Sequence, residues 1–285
     1  MSKRAAVASQ QHRESETTCK EKVGAEENVN SQDPSTCSAA KQHTDSEQQP
    51  GSPHWYEYPD SEFHNFEEER SSDKFEECQI WALYSDMDKN PNYYGRTAKV
   101  ESEEKFRVHV TWLEGCSEQE QERFWFEEQL PVGCGTFQVI QDSCVLDTTD
   151  TFSHLVHANP AGGENHYVIY PHVGEIWAVY KNWSLGWLLS DMENSEFDLV
   201  EILTINSSGF EVMVLSKLNG YRAVFVGERS GVVAKTMDIP YAERLKFSHK
   251  IPAFRLTEER GGKLRGYWEL DPASVPDILL FTNSN

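Results

Sequence analysis

The tripeptide Phe-Ser-His occurs twice in the chain and contains the histidines with the strongest claim to chemistry. His154 and His249 each follow a serine, so each pair sets a base beside a hydroxyl group. Nucleophilic catalysis also needs a partner that orients the base, and no carboxylate stands at a spacing that supplies one. The G-x-S-x-G turn is also missing around Ser153 and Ser248. A contact that stabilises a fold is expected in every copy of that fold, whereas a catalytic site is usually needed once. We therefore interpret four repeated residues as structural: Phe152, His154, Phe247 and His249.

Metal-ligand patterns in the sequence are incomplete. The run 86–90 (DMDKN) has the opening spacing of a calcium loop, but Pro91 and Thr97 stand where that loop needs Gly and Glu. His154 and His157 have no third ligand near them, and none of the six cysteines forms a C-x-x-C pair. We therefore predict no metal, no cofactor and no enzymatic activity, and we expect a turn at the DMDKN run.

Aromatic residues offer a binding chemistry instead. Three or four rings around a pocket, with an acid nearby, attract a methylated ammonium group, and small barrels of the Tudor and bromo-adjacent type carry such cages on loops. Trp81 and Trp177 lie inside apolar runs and are expected in the core. Neighbouring residues of a strand point to opposite faces, so one of the two tyrosines at 93 and 94 is expected to be exposed. The candidate partner-binding aromatics are Tyr94, Trp183 and Trp187.

The charge balance restricts the classes of partner. The chain has 47 acidic and 26 basic residues, for a net charge of −21. Binding to a phosphate backbone needs clustered Lys and Arg, so we expect no direct nucleic-acid binding and favour protein partners with basic or extended segments. No run approaches the roughly 18 apolar residues of a membrane span, so no membrane contact is expected. With no secretory signal, we expect the nucleus or the cytoplasm, with the nucleus favoured.

An internal repeat sets the organisation of the chain. The run 79–84 (QIWALY) recurs as 175–180 (EIWAVY), and Trp81 and Trp177 are 96 residues apart. The two Phe-Ser-His tripeptides are 95 residues apart. Short apolar runs with β-favouring residues and frequent turns indicate small β-barrels, with helix only in pieces at 118–126 and 241–245. The predicted fold is mainly β with short helices, in two tandem, related, small β-barrel-like units (Tudor/bromo-adjacent-like) packed as one composite domain.

Composition supplies the boundaries of these units. Residues 1–54 contain no Trp, Phe or Tyr and are predicted to be a disordered tail. The acidic lead-in is expected to be either a short helix or an extended segment that packs its phenylalanine rings on the domain. The remaining segments are predicted as follows: the lead-in at 55–77, a first β unit at 78–160, a second β unit at 161–276 and a C-terminal tail at 277–285.

Several long motifs resemble one family of plant proteins. The runs IWALYSDMDKNPNYYGR, YPHVGEIWAVYKNW, FSHKIPAFRLT and ELDPASVP are similar to the domain-of-unknown-function family 3444, usually found in the C-terminal region of J-domain proteins. The resemblance spans about 59–276. It implies a role beside a co-chaperone or in a plant nuclear or cytosolic complex, without an established chemistry. The His-Pro-Asp motif of a J domain is absent, so we expect a stand-alone C-terminal product or a gene model truncated at its start.

The function expected from these observations is a non-catalytic protein-interaction module of a J-protein-related plant family, which binds a protein partner through its tandem β units. Two alternatives stay open. One is a chromatin or histone-tail reader that uses an aromatic cage. The other is a client-binding domain of a chaperone.

Overall fold

The computed structural model of the protein describes residues 63–101, 105–117, 119–163 and 165–281. It shows a mainly β fold with a few short helices, which confirms the predicted fold class. Among the described residues, no helix combines the length and the apolar character that a membrane span requires. Three predicted stretches lie outside the described residues: the tail at 1–54, the start of the lead-in at 55–62 and the last residues at 282–285.

The first sheet has seven antiparallel strands in the order β5-β1-β2-β3-β4-β7-β6. Its strands are β1 (Ile80–Leu83), β2 (Tyr93–Glu101), β3 (Arg107–Cys116), β4 (Gly135–Leu146), β5 (Phe152–Leu155), β6 (Asn159–Pro160) and β7 (His166–Ile169). Strands β5 and β6 lie at opposite edges although only three residues separate them. The sheet therefore has to curve until its edges approach each other, as in a barrel.

The second sheet follows the same path. Its main order is β15-β8-β9-β10-β11-β17-β16, and β14 also pairs with β10. Its strands are β8 (Ile176–Tyr180), β9 (Phe197–Ile205), β10 (Gly209–Lys217), β11 (Val224–Gly227), β14 (Thr236–Pro240), β15 (Phe247–Ile251), β16 (Ala253–Arg255) and β17 (Trp268–Leu270). A separate hairpin consists of β12 (Arg229–Ser230) and β13 (Val233–Ala234). Only Pro252 separates the two edge strands β15 and β16, so this sheet is curved as well.

One difference between the two copies is an insertion. In the first copy, β4 pairs with β3 along both of its halves, at residues 108–111 and 113–116 of β3. In the second copy, β10 pairs with β14 at residues 209–213 and with β11 at 215–217. The hairpin β12–β13 interrupts what is one continuous strand in the first copy.

The β-bulges also coincide between the copies. The register of β2 against β3 skips Ala98, and that of β9 against β10 skips Leu203. The pairing of β1 with β5 skips Ser153, and that of β8 with β15 skips Ser248. Because a bulge needs one extra residue at a defined position, shared bulges show that the duplication includes these irregularities.

The helices are short, as the sequence predicts. The α-helices are α1 (Arg123–Glu127), α2 (Leu189–Met192) and α3 (Asp277–Phe281). The 3-10 turns are Phe66–Arg70, Ser72–Lys74, Glu120–Glu122, Tyr241–Lys246 and Gly262–Leu264. Helix α3 falls in the predicted C-terminal tail, where the buried side chain of Leu280 packs into the core.

Three apolar clusters of the described residues form the core. One is mainly within the first copy and contains Trp81 and Phe152, and a second contains the equivalent residues Trp177 and Phe247. The third and largest combines side chains of both copies, such as those of Ile80, Tyr94, Phe137, Ile176, Tyr180 and Leu199. Since this cluster is shared, the two units form one composite domain.

The sheet of the first copy extends beyond residue 160, where the first β unit is predicted to end. Strand β7 pairs with β4 and β6, so the first copy continues to Ile169 and does not end at residue 160. In the lead-in, Phe66 and Phe75 are buried against the domain. Arg70 is buried as well, which attaches this acidic segment to the core by a charge in addition to its rings.

Candidate partner-binding groove

The repeated Phe-Ser-His residues form the same local structure in both copies. The ring of Phe152 meets Trp81 edge-on at 5.9 Å and 78°, and that of Phe247 meets Trp177 at 5.7 Å and 79°. Each tryptophan Nε1 donates to the side chain two residues before it, Gln79 at 2.8 Å and Glu175 at 3.0 Å. Four buried aromatic rings thus pack in equivalent ways on the two sheets.

The histidines of the motif are buried and uncharged. The Ser153 hydroxyl lies 3.0 Å from His154 Nδ1, and the Ser248 hydroxyl lies 2.9 Å from His249 Nδ1. His249 Nε2 is 3.0 Å from the carbonyl oxygen of Ser274. A carbonyl can only accept, so His249 carries its proton on Nε2 and accepts from Ser248 on Nδ1.

Burial changes the pKa of both imidazoles. Removal from water lowers the pKa of His249 to about 4. It also lowers the pKa of His154 well below its usual value, and the nearby Lys250 ammonium adds to that effect.

A polar network around Ser274 connects the lead-in, the first copy and the C-terminal segment. Ser274 Oγ lies 2.9 Å from Ser153 Oγ and 3.1 Å from the Tyr84 hydroxyl. Arg70 Nη1 donates to Asp271 Oδ2 at 2.7 Å, and Asp271 also faces the Tyr84 hydroxyl at 3.4 Å. The two charged partners are 201 residues apart in the chain, and no spacing in the sequence indicates this contact.

A buried ion pair between Glu122 and Arg244 also joins the two copies. Both guanidinium Nη atoms of Arg244 donate to the carboxylate of Glu122, which also accepts from Ser117 Oγ. The Cys134 thiol donates to the Arg244 carbonyl at 3.3 Å, and burial raises the pKa of that thiol to about 12. The pair positions the segment before α1 against the 3-10 turn before β15.

A groove of about 750 Å³ lies where the two copies and the C-terminal segment meet. Four pieces of chain form its walls: the turn after β1, the residues after α1, helix α2 with the loop before β9, and the start of α3. The volume falls in the range of sites that bury a ligand, about 300–1,000 Å³.

Internal hydrogen bonds hold the first wall in place. Ser85 N donates to the Asn90 carbonyl at 2.9 Å, and Lys89 N donates to the Ser85 carbonyl at 3.0 Å. Asp88 accepts from Asn90 N at 3.1 Å and from the Asn92 amide at 2.9 Å. The DMDKN run is therefore a rigid turn, and Asp88 is one of its braces.

The groove combines apolar side chains with unpaired negative charge. Met87, Leu189 and Ile278 line it and are 64%, 44% and 53% exposed. Five acidic residues and a single base, Lys89, also line it. Three of these carboxylates are exposed and make no hydrogen bond or ion pair among the described residues: Glu128, Glu193 and Asp277.

The predicted partner-binding aromatics lie elsewhere. Tyr94 is only 3% exposed, because its face of β2 turns into the shared core, where its ring meets Phe137 edge-on. Trp183 and Trp187 are partly buried against the same core. Their neighbours there are Trp125, at 6.0 Å from Trp183, and Tyr180, at 5.5 Å from Trp187.

The aromatic rings that line the groove are those of Tyr93 and Phe197. Tyr93 is the neighbour of the predicted Tyr94 and points to the opposite face of β2. Two rings are fewer than the three or four of an ammonium cage. In the part of the chain that the structure describes, no three His, Cys, Asp or Glu side chains cluster as metal ligands.

Comparisons with known proteins identify the family. Searches among curated proteins and among solved structures each return no match. A family model with the description "Domain of unknown function (DUF3444)" matches residues 52–260, well over half of the chain. The chain therefore belongs to the DUF3444 family.

Proposed function

We propose that the protein is a non-catalytic protein-interaction module, and that the groove between its two β copies binds a basic, partly apolar segment of a protein partner. The observation that carries this proposal is the set of three unpaired carboxylates, Glu128, Glu193 and Asp277, around exposed apolar side chains. The partner is expected in the J-protein machinery or in plant nuclear complexes. A nuclear or cytoplasmic location accompanies the proposal.

The two chemical features of the groove have separate roles in binding. Burial of Met87, Leu189 and Ile278 by a partner supplies affinity, at roughly 25 cal/mol per Å² of apolar surface. The flexible methionine adapts to different anchor side chains. The carboxylates steer a cationic partner and select against acidic ones, so association should slow as salt is added.

Fluorescence anisotropy with a labelled peptide of leucine, lysine and alanine tests the proposal. Leu189→Asp and Ile278→Asp should each weaken binding at least about tenfold, which is 1.4 kcal/mol. The matched control is Val232→Asp, because Val232 is 93% exposed on the β12–β13 hairpin and does not line the groove. Equal affinities for all three variants and the unchanged protein would contradict the proposal.

The carboxylates also support the histone-tail alternative, because such tails are rich in lysine and arginine. Tyr94 is buried, Trp183 and Trp187 are partly buried, and none of the three lines the groove, so a tail reader that used this groove would use charge and not a cage. Tail peptides with and without trimethyl-lysine distinguish the two mechanisms. A clear preference for the methylated peptide would favour a cage.

The exposed apolar side chains support the client-binding alternative. A client-binding groove accepts apolar segments of any charge, whereas the proposed site requires a cationic partner. Suppression of the aggregation of a model substrate, together with equal affinity for acidic and basic peptides, would favour that alternative.

A further inference from the structure

We infer that the groove holds its partner as a basic amphipathic helix and not as an added β-strand. This inference rests on the proposed function, because it specifies the partner of the same groove. It follows from the hydrogen-bonding state of the backbone that surrounds the groove.

The strands that reach the groove have no free edge. Tyr93 begins β2, which lies between β1 and β3, and Phe197 begins β9, which lies between β8 and β10. Addition of a strand needs a row of unpaired backbone groups on an edge strand. Both groove strands are interior strands. Tyr93 pairs with Leu83 of β1 and Phe197 with Tyr180 of β8, and the strands are paired on both sides at 94–96 and 199–201, so neither offers a row of free backbone groups.

The turn after β1 already uses four of the six backbone N–H groups at 85–90. The backbone N–H groups of Ser85 and Lys89 donate within the turn to the carbonyls of Asn90 and Ser85. Those of Met87 and Asn90 donate to the side chains of Ser85 and Asp88. The segment is a turn and not an extended strand, so a peptide laid against it would find no continuous ladder of donors to pair with.

The free-energy balance then favours a helix. An extended segment would leave buried backbone groups unpaired, at about 1–3 kcal/mol for each group. A helix satisfies its own backbone and offers only side chains to the groove. Two of the other walls, α2 and the start of α3, are helical and also present side chains, so most of the contact between partner and groove is made by side chains.

The groove chemistry sets the pattern of that helix. Apolar residues spaced three or four apart would meet Met87, Leu189 and Ile278, which line one groove. Lysine or arginine on the flanks of that stripe would reach Glu193 and Asp277. The partner class is therefore a helix with an apolar stripe bordered by positive charge.

Three peptides of leucine, lysine and alanine test the inference by anisotropy. The first two have identical composition, one with its leucines at the helical period and one with alternating leucines. The third is the helical peptide with a central proline, which breaks the helix. The helical peptide should bind at least about tenfold more tightly than either of the others, and Leu189→Asp should remove that difference.

The outcomes separate the two proposals. Equal affinity of the helical and alternating peptides, with both lost in Leu189→Asp, overturns the helical mode and leaves the groove as the binding site. Absence of saturable binding by any peptide overturns the proposed function, and the helical mode with it. A gain in helical circular dichroism upon binding of the first peptide is the supporting result.

Discussion

The carboxylate of Glu122 and the guanidinium of Arg244 form a buried, two-pronged ion pair across the contact between the two copies. Their side chains are 1% and 8% exposed. Desolvation of two charges offsets much of their attraction, so such a pair adds little net stability compared with apolar residues. The pair instead favours this one arrangement of the two copies, because either charge buried without its partner would strongly destabilise the folded protein.

Removal of one charge of this pair should therefore be costly. Glu122→Gln leaves Arg244 buried without a counter-charge, and we expect a loss of about 3–5 kcal/mol in the free energy of unfolding. The double variant Glu122→Leu with Arg244→Met should recover most of that loss. Urea unfolding of Glu122→Leu, Arg244→Met and the double variant measures the coupling free energy between the two side chains. Strictly additive losses in the free energy of unfolding would show that the two side chains act independently.

The two repeated tryptophans should contribute equally to stability. Trp81 and Trp177 are each 1% exposed and occupy equivalent positions in the two barrels. Trp81→Ala and Trp177→Ala should each lower the free energy of unfolding by about 3–5 kcal/mol. Thermal melts that match the unchanged protein would show that these rings do not support the cores.

Acid should destabilise the protein through its two buried histidines. The folded state keeps His154 and His249 neutral because burial lowers the pKa of each, whereas the unfolded chain takes up protons below about pH 6.5. The unfolded state then binds more protons, so the free energy of unfolding falls as the pH falls from about 6.5 towards 4. Each histidine contributes a slope of up to about 1.4 kcal/mol per pH unit.

Urea midpoints measured at intervals from pH 7 to pH 5 check this prediction. This window lies above the usual range in which carboxylates titrate, so the histidines dominate the slope. His249→Gln should reduce the slope even if it lowers the overall stability. A slope that is the same in the variant would contradict the assigned role of His249.

The backbone contact at Gly133 should tolerate no side chain. A Cβ atom at this position would lie 2.3 Å from the Ser248 carbonyl oxygen and 2.4 Å from that of Phe247. Gly133→Ala should therefore push the copies apart and cost about 1–3 kcal/mol or more. Gly186→Ala is the matched control, since its nearest neighbour would be Ser184 Oγ at 3.8 Å. Equal melting temperatures for Gly133→Ala and Gly186→Ala would show that the backbone at this contact moves aside without loss of stability.

Local features of the fold were predictable from the sequence. The repeat of Trp81 at Trp177 and the short apolar runs indicated two related β units, because strand patterns and turn residues are local signals. The helical pieces at 118–126 and 241–245 correspond to observed short helices and turns. The insertion of the β12–β13 hairpin could not be recognised in the sequence. Turn residues alone do not distinguish one strand that a hairpin interrupts from two separate strands.

Most of the candidate site could not be predicted from the sequence. Its walls come from segments as far apart as Asp88 and Asp277, and no local pattern indicates that they meet. Which of the two tyrosines, Tyr93 or Tyr94, lines the groove also depends on which face of β2 meets the second copy. The acidic character of the candidate groove was anticipated only as a net charge, without a location.

The most direct measurement is a map of where a basic amphipathic peptide contacts the protein. A leucine- and lysine-rich peptide with a photo-reactive group at its centre would be cross-linked and the products identified by mass spectrometry. We predict cross-links at Met87, Leu189 and Ile278, lost when an acidic peptide of the same apolar pattern replaces the basic one. Cross-links concentrated elsewhere on the chain, such as at Val232, would contradict the proposal that the groove is the binding site.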